Sequence, residues 1–143
     1  MSSKKLVFKQ NGDLNPGVYE LSEKQLYKEF GETNDWRKLQ MLNYQKITSI
    51  FDACGVKKVY IDGSFISKET QPKDIDYIIE LPDNFDWNSQ LAVILRSKQI
   101  MKTQYHADIL PYAESDLDMK NVCLKLFTHD RNDYEKGIVR VKK

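Results

Sequence analysis

The sequence predicts an α/β or α+β domain in which a small mixed sheet of three to four short strands packs against helices. Three observations carry this. The 143 residues suit one core. The 41% apolar content is that of a chain able to bury one. Segments of helical apolar period alternate with short β-branched runs along the chain. The whole chain, 1–143, is therefore expected to form a single domain.

Residues 1–21 are expected to be an irregular arm, because Asn11-Gly12 and Pro16-Gly17 are turn signals among few apolar positions. A short helix near 23–30 follows. Ser22 and Gln25 have capping-box spacing, Leu26 and Phe30 are its apolar positions, and Gly31 stops it. A longer helix places Trp36, Leu39, Leu42, Ile47, Ile50, Phe51 and Cys54 on one face, expected to be the core face, and ends at Gly55. Val56 to Ile61 and Ile75 to Leu81 read as two strands of one sheet, the second stopped by Pro82. Asp86 to Ser97 reads as a helix with Leu91, Ile94 and Leu95 inward, and Gln104 to Leu110 as a third strand closed by Pro111. Ser115 and Asp118 are candidate caps of a helix carrying Leu117, Val122, Leu124 and Leu126; residues 122–127 also fit an extended segment. In the tail, 128–143, Asp130 to Asp133 is turn-like and Gly137 to Val141 alternates as an edge strand.

Composition excludes several functions. The 22 basic and 21 acidic residues nearly cancel, so net charge gives no indication of nucleic-acid binding. No run approaches the roughly 20 apolar residues of a membrane span, and the N-terminus lacks the apolar stretch of a secretory signal. A cytoplasmic protein is expected, with Cys54 and Cys123 as reduced thiols. His106 and His129 have no partner at zinc-binding spacing, and no Gly-x-Ser-x-Gly elbow surrounds Ser64.

The chemistry-bearing segment lies within residues 56–110. Strand alternation sends Asp74 and Asp76 to one face and Ile75, Tyr77, Ile79 and Leu81 to the other. Two carboxylates about 6.6 Å apart along a strand can converge on one divalent cation, and hard oxygen ligands suit magnesium. Gly63-Ser64 ends the preceding strand, where a residue without a side chain lets phosphate oxygens approach backbone N–H groups. An ordinary strand-ending turn would use the same residues.

Gly63-Ser64-Phe65, then Glu69, Pro72 and Asp74-Ile75-Asp76, resembles the signature of the DNA polymerase beta type nucleotidyltransferase superfamily, above all its minimal members. The arm from Asn11 to Leu21 and the tail from Asp130 to Val141 are similar to an uncharacterised group of short nucleotidyltransferase-like proteins from bacteria and their phages. The resemblance implies a nucleotidyltransferase fold and a nucleoside triphosphate, with ATP the foremost candidate, held over a two-metal magnesium site. Asp74 and Asp76 would bridge the metals. Asp108, alternating with Ala107 and Ile109 in the third strand, would be the third carboxylate, with Glu80 or Asp62 as stand-ins. Gly63 and Ser64 would cradle phosphate, and Lys68 and Lys73 could reach its oxygens as point charges. The acceptor hydroxyl would belong to a tRNA end, a small molecule or, since the chain is short, a protein.

Three features depart from the pattern: Lys73 stands where active members carry Ser or Thr, the interval before Asp74 is about one residue short, and Asp62 precedes Gly63. They favour an alternative, a binding module of weak or no activity that contacts a protein partner in a toxin–antitoxin or phage–host setting.

Overall fold

The computed structural model describes residues 5–128 and 135–142. Its centre is a mixed five-stranded sheet in the order β1-β5-β2-β3-β4, built from β1 (Gly17–Ser22), β2 (Lys58–Asp62), β3 (Ile75–Leu81), β4 (Ala107–Ala113) and β5 (Gly137–Lys142). β1 and β5 run parallel, as do β3 and β4, while β2 is antiparallel to both its neighbours. The fold class is the expected mixed α/β one, with five strands rather than three or four.

The extra strand is β1, within the segment expected to be irregular. Tyr19 and Leu21 are buried and alternate with Val18 and Glu20, a period too short to register beside two turn signals. Its pairing with β5 supplies the remaining signal, and that partner lies more than a hundred residues away. The same pairing corrects the expectation for β5, which is an interior strand between β1 and β2.

Helix α1 (Glu23–Leu26) opens on the expected capping box: Gln25 N–H donates to the Ser22 hydroxyl, and the Gln25 side chain accepts from Ser22 N–H. A wider turn, Tyr27–Gly31, continues it. Helix α2 (Asp35–Ala53) is capped by Asn34; Ile47 and Phe51 are buried and Ile50 and Cys54 pack on the core as expected, but the first half turns a different face inward. Arg37, Gln40, Met41, Tyr44, Ile47, Thr48 and Phe51 face inward, while Trp36, Leu39 and Leu42 face solvent, Leu39 at 60% exposure. The guanidinium of Arg37 and the side-chain NH2 of Gln40 can be buried because loop carbonyls accept from them, an arrangement invisible to hydrophobic periodicity.

Ser89 caps α3 (Gln90–Arg96), whose Leu91 and Ile94 are buried as expected. A further helix, α4 (Lys98–Tyr105), occupies the start of the segment read as a third strand. His106, within the segment read as a strand, instead ends this helix in the left-handed conformation, φ 49°. β4 then runs through Pro111 to Ala113, which an edge strand allows because its outer N–H positions need no partner. α5 (Leu117–Phe127) is helical throughout and capped by Asp116, neither Ser115 nor Asp118. The expected turn at Asp130 to Asp133 and His129 lie outside the described residues.

The odd-numbered strand residues, among them Ile61, Ile75, Tyr77, Ile79, Ile109 and Val139, form the main core with α1, α2, α3 and α4. On the other face Tyr60, Ile78, Tyr112 and Ile138 meet Cys123 of α5 in a smaller core. Both thiols are free. Among the described residues no helix is long and apolar enough to cross a membrane.

Candidate functional site

The even face of the sheet ends in carboxylates. Asp62 closes β2 and pairs in register with Asp76 of β3, which pairs in register with Asp108 of β4. Side chains at paired positions point the same way, so three aspartates stand in a row across three strands, with neighbours about 5 Å apart. Asp74 lies just before β3, two residues along the chain from Asp76 and so beside the middle of the row. Sequence reading located Asp74, Asp76 and Asp108 but left Asp62 as an alternative. Glu80, the other alternative, is buried opposite Lys58, two positions further along the same face.

Gly63 is brought against this row. Its φ of 80° is left-handed, and a Cβ built there would fall 2.2 Å from Asp76 Oδ2. The bend after β2 and the Asp-Ile-Asp pair therefore meet across adjacent strands, and only glycine permits that approach. Gly63→Ala should cost roughly 2–3 kcal/mol, from left-handed strain plus displacement of the Asp76 carboxylate, measurable as a lower urea midpoint. An unchanged midpoint would mean that the bend adapts freely.

Ser64 is the half-buried second residue of the turn Gly63–Ile66. The turn and the loop after it are held from beneath by Arg37, only 3% exposed, whose guanidinium donates to the carbonyls of Phe30, Ser64, Phe65, Ser67 and Glu69 at 2.5–3.4 Å. Gln40 donates to the Pro72 carbonyl at 2.6 Å and Trp36 to the same carbonyl at 2.7 Å. Three residues of α2 thus clamp the loop joining Gly63 to Asp74. Arg37 carried no signal in the sequence, because a lone arginine on a helix is ordinarily solvated.

The two lysines expected at the phosphates lie elsewhere. Lys68 holds its ammonium 4.5 Å from the Phe8 ring centroid, in a cavity of about 250 Å³ lined by Phe8, Phe30, Arg37 and Glu69 rather than by the acids. Exposed Lys73 lines a separate cleft of about 310 Å³ with Trp36, Leu39, Leu42 and His106. The cations beside the acids are two that sequence reading missed. Lys136 Nζ is 3.5 Å from Asp62 Oδ1, and Lys102 Nζ is 4.0 Å from Asp74 Oδ2. Nothing local marks either lysine; topology alone brings them to the row.

Electrostatically the row is strained. Burial, followed by the charges of Asp62, Asp108 and Asp74, pushes Asp76 up to about 7, against a smaller pull from Lys136. Burial raises Asp62 to about 6 although Lys136 and the Gly63 N–H favour its charged form. Asp62 Oδ1 is buried and makes no hydrogen bond, the Lys136 ammonium at 3.5 Å being its ionic partner. Among the described residues no three His, Cys, Asp or Glu side chains are drawn into a preformed metal cage. An open rank of hard oxygen donors, with an acid resisting ionisation at its middle, nevertheless has the chemistry to accept a divalent cation.

Fold and site together define a mixed α/β domain with a carboxylate row along one face of its sheet, beside a glycine bend. The chain belongs to a family of unknown function (DUF6932), whose model matches residues 6–142. No curated protein and no solved structure matches it.

Proposed function

We propose that the chain is a magnesium-dependent nucleotidyltransferase that moves a nucleotidyl group from a nucleoside triphosphate, foremost ATP, to a hydroxyl acceptor, for which a protein hydroxyl is the one we favour. The observation that carries this reading is the register Asp76↔Asp108 with Gly63 packed on Asp76, which supports a shared pocket for cation and phosphate. Asp74, Asp76 and Asp108 would hold the metal. Magnesium, when bound, would offset the triphosphate charge and acidify the acceptor hydroxyl. Gly63 leaves room for phosphate oxygens at the bend, and Ser64 offers a hydroxyl donor next to it. Asp108, at the edge strand, is the base that takes the acceptor proton as oxygen attacks the α-phosphorus and the bond to pyrophosphate breaks.

The test is label transfer from α-labelled ATP, with a bacterial lysate as acceptor source. Magnesium-dependent labelling is expected in the wild type, falling about a hundredfold in Asp74→Ala, whose aspartate is partly exposed beside Asp76. Labelling unaffected by Asp74→Ala would end the reading.

A second reading, the binding module, draws on the outward face of α2, where Trp36, Leu39 and Leu42 are exposed together. It predicts no labelling in the same assay, with a protein partner retained by both wild type and Asp74→Ala.

A further inference from the structure

Four aspartates share two lysines at the row, and the lysines are held very differently. Lys102 reaches Asp74 at 4.0 Å from a side chain that is 51% exposed, a solvated contact that a stronger cation can displace. Lys136 reaches Asp62 at 3.5 Å with only 19% exposure, and the Asp62 side chain is 4% exposed. Removing either partner of so buried a pair leaves an uncompensated charge, so the pair persists.

The backbone also fixes Lys136. Its N–H donates to the Thr128 carbonyl at 2.7 Å, joining the end of α5 to the start of β5. Gly137 N–H donates to the Leu14 carbonyl at 3.0 Å. A Cβ at Gly137 would lie 2.4 Å from the Asn15 carbonyl oxygen, so the arm packs directly on the chain beside Lys136. The ammonium is therefore held at the Asp62 end of the row and cannot withdraw with its backbone.

We propose that Lys136 is a resident cation of the carboxylate row, taking the place of one of the two metals, so that Asp74, Asp76 and Asp108 hold a single divalent ion. This inference rests on the nucleotidyltransferase reading. It accounts for Asp62, whose place before Gly63 departs from the pattern: its carboxylate anchors the ammonium. With one end of the row neutralised by a fixed charge, the free site is Asp74, Asp76 and Asp108, where Lys102 gives way.

Electron paramagnetic resonance of bound Mn²⁺, with a non-hydrolysable triphosphate analogue, tests this independently of turnover. Two Mn²⁺ about 4 Å apart give an exchange-coupled spectrum, and a single ion does not. The wild type and Lys136→Arg should give the isolated-ion spectrum. Lys136→Met should give the coupled one, and Lys136→Met/Asp62→Asn should return to the isolated ion. Circular dichroism shows that each variant is folded, and Lys136→Arg keeps the test decisive if Lys136→Met unfolds, since its spectrum must match the wild type. A coupled pair in the wild type, or an isolated ion in folded Lys136→Met, overturns the role of Lys136 while leaving nucleotidyl transfer standing. A wild type that binds no Mn²⁺ overturns both.

Discussion

On the proposed nucleotidyltransferase reading, Asp76→Asn is expected to abolish transfer and stabilise the fold at once. Transfer should fall about a thousandfold or more, because Asp76 is the central carboxylate of the row, the one paired on both sides by other aspartates. Stability should move the other way. Burial and the neighbouring Asp62, Asp108 and Asp74 raise Asp76 to about 7, against about 3.9 in an unfolded chain. The folded protein thus binds this proton more tightly than the unfolded one. The resulting stabilisation is complete below about pH 4 and is lost as pH rises through 7. At pH 8 the ionised carboxylate costs roughly 2–4 kcal/mol, which an uncharged, isosteric amide does not. In metal-free buffer Asp76→Asn should therefore melt roughly 5–10 °C above the wild type at pH 8 and near it at pH 4. Magnesium should raise the wild-type melting temperature at pH 8 and leave the variant unmoved. A variant that melts below the wild type at pH 8 would show that the carboxylate is satisfied in the folded chain, and the row would lose its claim to a missing cation.

How much of this was legible in the sequence depended on whether the cause was local. β3 was found with its bounds, because Ile75 to Leu81 is a β-forming run ended by Pro82, and alternation then put Asp76 opposite the main core. Asp108 followed from the same rule, although helix α4 replaced the beginning of its strand. β1 was missed because its strongest reason to be a strand is β5, and β5 was taken for an edge because its second neighbour is β1. The row was half visible for a related reason: Asp74 and Asp76 declare themselves by spacing, whereas Asp62, Lys102 and Lys136 join it only through pairing register and packing. The α2 face differs from the expectation only in its first half, since Ile47 and Phe51 are buried as expected. Hydrophobic period favours Trp36, Leu39 and Leu42, but Arg37 and Gln40 have loop carbonyls to satisfy and take the inner side.

That exchange of faces makes Arg37 the most sensitive position outside the row. Arg37→Ala should lower stability by roughly 3–5 kcal/mol, enough to unfold a large share of a marginally stable domain. Burial holds the guanidinium below its ordinary pKa, with Glu69 opposing, yet an arginine stays charged, so the cost of burying that charge is met by the carbonyls around it. Deleting the side chain leaves the carbonyls of Phe30, Ser64, Phe65, Ser67 and Glu69 without these donors and opens a void next to the Phe65 ring, 5.3 Å from the guanidinium carbon. Lysine cannot substitute, because one ammonium has three donors on a single nitrogen and cannot span carbonyls arranged around a planar fork. Arg37→Lys should therefore recover less than half of the loss. Hydrogen exchange locates the effect: amides of residues 63–74 should lose protection before those of α5, since the α2 clamp holds that loop and α5 packs on the opposite face of the sheet. Uniform loss of protection across both would mean that Arg37 supports the whole domain and has no particular hold on the glycine bend.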